Sequence, residues 1–169
     1  CEYLKVKEVT IPERTYNGVP NAIYRGGGVV SYIDTHWSGG FPLIPYPGFD
    51  YARRLTSGMY KKGEFQCLSF GPNKVLSHGE GGAILFDDPN ARSFLRNIGH
   101  DGRTPKVHPR DDNFTVGMTC GPMKPWVATA ILDKLSRLPR HNPDSPNSDY
   151  PDLSKTDWNG IWREQQKRF

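Results

Sequence analysis

Residues 65–86 constrain this chain most. Two short apolar runs, Phe65-Gln66-Cys67-Leu68 and Gly82-Ala83-Ile84-Leu85-Phe86, flank a turn, Ser69-Phe70-Gly71-Pro72-Asn73-Lys74, that continues into Gly79-Glu80-Gly81-Gly82. Apolar runs of this length bounded by Gly, Pro, Asn and Asp read as strands. Lys74 is therefore expected on a loop held between two strands. A lysine taken alone is almost always a solvated surface charge, so its position gains meaning only from what surrounds it.

The pattern on either side is that of an α/β domain. Residues 8–11 read as a strand, 20–25 as a short helix and 29–34 as a second strand, the order expected of a parallel sheet. Residues 37–48 read as a Pro- and Gly-rich surface loop. Asp87-Asp88-Pro89 supplies a cap and a first-turn proline for a helix running to about Ile98, with Phe94, Leu95 and Ile98 toward the core. Val127, Ile131, Leu135 and Leu138 recur at helical spacing, which marks a helix over 128–138 packed on the core. Residues 142–155 are dominated by Pro, Asp, Ser and Asn and read as an extended tail draped over the body or a partner, with Trp158, Ile161 and Trp162 anchoring its end. This divides the chain into a domain over 1–140 and a polar tail over 141–169.

Composition excludes several classes. The 169 residues suit one domain with one core, and 36% hydrophobic residues with 18 Gly and 15 Pro favour short elements joined by loops. No run approaches the length of a membrane span and the start has no leader pattern, so a cytoplasmic protein is expected. The 3 cysteines are widely separated, which indicates neither a disulfide framework nor a zinc site. A net charge of +4 would assist an anionic ligand. The basic residues form no stripe with interleaved aromatics, so nucleic acid is not the expected partner. His78 beside Glu80 offers too few ligands for a metal. The turn His100-Asp101-Gly102-Arg103 has no nucleophile near it in sequence and reads as a polar helix exit.

Upstream of the lysine turn stands Asp50-Tyr51-Ala52-Arg53, and together these segments resemble the DegT/DnrJ/StrS-type sugar aminotransferases, which use pyridoxal phosphate. In that family an Asp-x-Ala-x segment precedes a Ser-Phe-x-x-x-Lys turn, and Gly-Glu-Gly-Gly follows after a short spacer. Further similarity lies in Val9-Thr10-Ile11-Pro12, Thr15-Tyr16, the strand over 29–34, Arg96-Asn97-Ile98-Gly99 and the helix over 128–138, so the likeness spans about residues 8–140. The resemblance implies a reduced large domain of the aspartate-aminotransferase-like (type I) fold with a mostly parallel sheet.

It also implies roles. Lys74 would be the Schiff-base lysine, Asp50 the carboxylate on the pyridine nitrogen and Ser69 a hydroxyl donor to the cofactor phosphate. A lysine amine can bond the cofactor aldehyde and, once displaced, move a proton. An aspartate beside the ring nitrogen favours its protonated, electron-accepting form. Arg53 stands where the family more often has His or Gln, and is either a ring contact or a surface charge. In Gly117-Met118-Thr119, which matches a Gly-Tyr-Asn segment that reaches the neighbouring subunit's phosphate, Thr119 could donate one hydrogen bond. A keto-sugar nucleotide, an amino-acid donor and a homodimer complete what the resemblance implies.

Two departures stand beside it. The family is more than twice as long, with an N-terminal phosphate cradle and a C-terminal small domain, so this chain is expected to be a fragment or a contracted relative. Residues 35–49 replace a crossover unit that takes about 30 residues. The alternative function is accordingly a catalytically silent relative that serves as a structural or interaction module.

Overall fold

In the computed structural model, residues 1–113, 121–145 and 150–167 are described. Strand β1 (Glu8–Pro12) alternates so that Val9 and Ile11 are fully buried, and it pairs in parallel with β2 (Val29–Ile33). The connection between them carries helix α1 (Gly18–Arg25), which lays Pro20 and Ile23 on the same core. Val6, Val9, Ile11, Ile23 and Phe41 form that first core. Burial of such side chains contributes roughly 1.5–3 kcal/mol each.

Four further strands follow: β3 (Phe41–Leu43), β4 (Gly48–Asp50), β5 (Phe65–Ser69) and β6 (Gly82–Leu85). Pairing is antiparallel for β3–β4, parallel for β4–β5 and antiparallel for β5–β6. Thr10 and Ile44 exchange backbone bonds of 2.8 and 3.2 Å, which joins β1 to the end of β3 and links the two sheets. The sheet is therefore mixed, which corrects the expectation of a mostly parallel one. The reason is connection length. Residues 44–47 can only turn the chain back, whereas a parallel neighbour needs a crossover of a dozen or more residues. The segment expected to be all loop, 37–48, in fact contributes β3 and the first residue of β4.

Helix α2 (Pro89–Ile98) starts as its sequence indicates: the Asp88 carboxylate accepts from Asn90 N and Ala91 N, and Pro89 fills the first turn. Ala91 and Ile98 are buried, while Phe94 and Leu95 are half-buried. Helix α3 (Pro125–Arg137) docks through Val127 and Ile131 onto Phe70 and Leu76, with Leu55, Leu68 and Ala83 around them. Leu135 does not join this second core and stays 44% exposed, a correction to the four-residue apolar stripe.

The tail returns to the N-terminal half. Leu153 is buried and its N–H bonds the Glu13 carbonyl at 2.8 Å. Helix α4 (Trp158–Gln166) is capped by Asp157, whose side chain accepts from Gly160 N. Trp162 stacks on Tyr24 of α1 at 5.9 Å, and the Tyr24 hydroxyl donates to Asn159 at 2.8 Å. Polar composition thus coexists with a few aromatic anchors.

Candidate active site

Asp50 ends β4 and lies opposite Cys67 in the parallel register with β5. Side chains alternate along a strand. Leu68 and Phe70 pack toward α3 in the second core, so Cys67 and Ser69, like Asp50, belong to the other face. An apolar cleft of about 310 Å³ between β5, β6 and α3, lined by Leu68, Leu76, Ala83 and Leu135 among others, is on the α3 side.

The loop carrying Lys74 is held at several points. Phe70 N bonds Gly81 O at 2.9 Å, His78 N bonds Phe70 O at 2.7 Å, Lys134 Nζ of α3 donates to Ser77 O at 2.8 Å, and Leu76 is buried. Asn73, just before the lysine, is left-handed with φ 60°, a conformation its short polar side chain tolerates. At Gly82 a Cβ would stand 2.5 Å from the Leu68 carbonyl oxygen, so the last glycine of Gly79-Glu80-Gly81-Gly82 is required by close backbone approach. Here lies the structural content of the glycine turn, and His78 serves it through its backbone.

Within this frame the Lys74 side chain is half-buried, and among the described residues its amine makes no hydrogen bond or ion pair. Its charge nevertheless reaches Asp50. Burial pushes the Asp50 carboxyl above the usual range, while the Ala52 N–H and the charges of Lys74 and Arg53 pull it back. Asp50 Oδ1 accepts from Ala52 N at 2.8 Å, and Oδ2 accepts no hydrogen bond among the described residues. Ser69 Oγ accepts from Gly71 N at 3.2 Å and keeps its own hydrogen to donate.

Cys67 is exposed to solvent, yet protein crowds around its thiol. That enclosure first, and the Asp50 charge second, push its thiol up to about 11. Sequence reasoning missed this neighbour, because only the β4–β5 register sets it against Asp50.

Arg53 is only 6% exposed, which removes the surface-charge reading. Its Nε and Nη2 donate to the Tyr150 hydroxyl at 3.2 and 2.9 Å. The next residue, Arg54, grips Asp144 with Nε to Oδ1 at 2.9 Å and Nη2 to Oδ2 at 2.7 Å, a paired geometry that holds the Asp144 carboxyl below its usual range. Tyr150 and Asp144 were also missed, since nothing local in a polar tail says which arginine it meets. Thr119 lies outside the described residues. Among the described residues no group of three or more His, Cys, Asp or Glu could hold a metal ion, and no helix is long and apolar enough to cross a membrane.

Comparisons with known proteins bear on the fold and on the family. The model of the DegT/DnrJ/EryC1/StrS aminotransferase family matches residues 56–144. No curated protein matches. Among solved structures, a putative PLP-dependent aminotransferase from Bacillus cereus ATCC 10987 is similar with a TM-score of 0.62 at 17% identity, over 79% of this chain and 47% of that one. DesV of S. venezuelae has a TM-score of 0.59 at 18% identity, over 78% of this chain and 46% of its own. 3-Amino-5-hydroxybenzoic acid (AHBA) synthase has a TM-score of 0.58 at 16% identity, over 78% and 45% respectively. These likenesses show a shared fold, and the chain spans less than half the length of each of the three. The family model covers more than half of the chain, lysine turn and glycine turn included, and the chain belongs to the DegT/DnrJ/EryC1/StrS aminotransferase family.

Proposed function

We propose that the chain carries the cofactor-binding core of a pyridoxal-phosphate-dependent aminotransferase that moves an amino group from an amino acid to a keto-sugar nucleotide. The observation that carries this reading is the half-buried Lys74 amine, uncommitted to any hydrogen bond among the described residues yet within the field of Asp50. Pyridoxal phosphate, when bound, supplies an aldehyde for an amine and a ring that accepts electron density. Donor chemistry supports a fit to that group: among the described residues an amine, a carboxylate oxygen and a hydroxyl hydrogen are each left uncommitted.

Lys74 Nζ is the nucleophile and afterwards the base that carries a proton. Asp50 Oδ2 holds a proton on the ring nitrogen by charge proximity. Ser69 Oγ donates to the phosphate, and the family resemblance would have Thr119 donate to the phosphate of the neighbouring copy. Arg53 adds positive potential beside Asp50, which favours the ionised carboxylate. A homodimer in the cytoplasm completes the proposal, the second copy supplying part of the phosphate site.

A silent structural or interaction module is the second reading, favoured by the antiparallel β3–β4 hairpin that stands where a crossover unit is expected. One experiment separates them. Purified protein is mixed with pyridoxal phosphate, reduced with borohydride and digested, and the peptides are weighed. A pyridoxyl adduct on the Lys74 peptide, lost in Lys74→Ala, is the expected result. An unlabelled Lys74 peptide in folded protein overturns the cofactor reading and leaves the module.

A further inference from the structure

We infer that Lys134 is a positioning residue: its ammonium holds the peptide between Ser77 and His78, and through it the loop that presents Lys74. The inference rests on the proposed function only for what a well-held Lys74 achieves, not for the contact itself.

One peptide unit carries the argument. The Ser77 carbonyl accepts from Lys134 Nζ of α3 at 2.8 Å, and the amide of that same peptide, His78 N, donates to the Phe70 carbonyl at 2.7 Å. Both polar groups of the peptide are therefore engaged, one toward a helix and one toward the end of β5. A charged donor makes the stronger kind of bond, and it polarises the peptide so that the amide donates more strongly in turn. Leu76, just before, is buried against the same helix, but an apolar contact is non-directional and does not fix a peptide plane. After His78 come Gly79 and Gly81, both left-handed, which restrain the backbone least of all residues. The Lys134 bond is thus the directional hold on the downstream foot of the Lys74 segment.

The helix places the lysine for this grip. Positions 127, 131, 134 and 138 fall along one line of α3, and the first two are the buried Val127 and Ile131. Lys134 takes the third place, where an apolar residue would extend the stripe, and Leu135 is turned aside. The neighbouring carboxylate, Asp133, is already paired with Arg137 at 2.6 Å, so it does not draw the ammonium away. A lysine with no task on the loop would extend its charge into water.

The test uses the whole chain with Lys134→Met, which keeps an unbranched stem and removes the charge, and Lys134→Arg, which keeps a charged donor. In Lys134→Met the His78 amide should exchange about tenfold faster, while the Phe70 amide, bonded to Gly81 O, keeps its rate. The Lys74 amide resonance should shift in the same variant, and both effects should be reversed in Lys134→Arg. With saturating pyridoxal phosphate, the borohydride-trapped label on Lys74 should form about fivefold more slowly in Lys134→Met, with the half-saturating concentration held within about twofold. A lysine that only stabilised the fold would not produce that split. An unchanged His78 exchange rate, an unmoved Lys74 resonance, or an unchanged labelling rate in protein that takes the label overturns the inference. Should Lys134→Met not fold, the unmodified protein decides: a scalar coupling between Lys134 Nζ and the Ser77 carbonyl carbon supports the grip, and its absence overturns it. A protein that takes no label at all would sink the proposed function, yet the His78 exchange rate and the Lys74 resonance would still judge this contact.

Discussion

Cys67 shows at the residue scale how much its neighbours decide. Its thiol is held up to about 11, against an ordinary 9.0, by enclosure and by the Asp50 charge. At neutral pH it stays protonated and reacts slowly with iodoacetamide despite its open surface, because the thiolate is the nucleophile. The alkylation rate should climb until about pH 11, and Asp50→Asn should shift that climb to lower pH. A curve centred at the ordinary value would contradict the arrangement. The linkage sign follows: the folded state binds this proton more tightly than the unfolded chain, so the contribution to stability is complete below 9 and fades as pH rises toward 11. Residue types and order were enough to single out Lys74, Asp50 and Ser69 as candidates. Cys67 was not, because strand register is a long-range fact.

At the scale of elements, α3 holds up the loop that carries Lys74. Ile131 is 5% exposed against Leu76 and Phe70, whereas Leu135 is 44% exposed. Ile131→Ala should cost about 3 kcal/mol in urea unfolding and Leu135→Ala less than about 1 kcal/mol, since only the first leaves a hole in packed surroundings. Equal losses would mean that the helix docks on another face. Period and capping made α1, α2, α3 and the strands β1, β2, β5 and β6 readable, Asp88-Pro89 most plainly. Strand β3 and the start of β4 were read as loop, because Pro42 and Gly48 argue for a turn locally, while pairing of β3 with β4 and of β4 with β5 decides otherwise. Their connection lengths also made the sheet mixed.

For the molecule as a whole, the tail ties the two halves together. Asp144 and Arg54 form the outer clasp, and at 36% exposure for the arginine, water and salt limit its worth to no more than about 1 kcal/mol. The Asp144 carboxyl is held below its ordinary 3.8, so this stability is present above that value and is lost as pH falls through the lower folded one. Asp144→Asn should flatten part of the acid-side slope of the melting temperature, to which Asp88 and Asp152 also contribute, while changing the neutral value by only a few degrees. An unaltered slope would place the acid sensitivity elsewhere. Polar composition made the tail visible as a segment, but not its destinations. Tyr150 and Leu153 each find partners more than ninety residues away.

That return path has a temporal consequence. A ribosome delivers Arg53 and Arg54 early, and their partners Tyr150 and Asp144 only ninety or more residues later. The contacts that join the tail to the segment after β4 are therefore complete only once residue 150 has emerged.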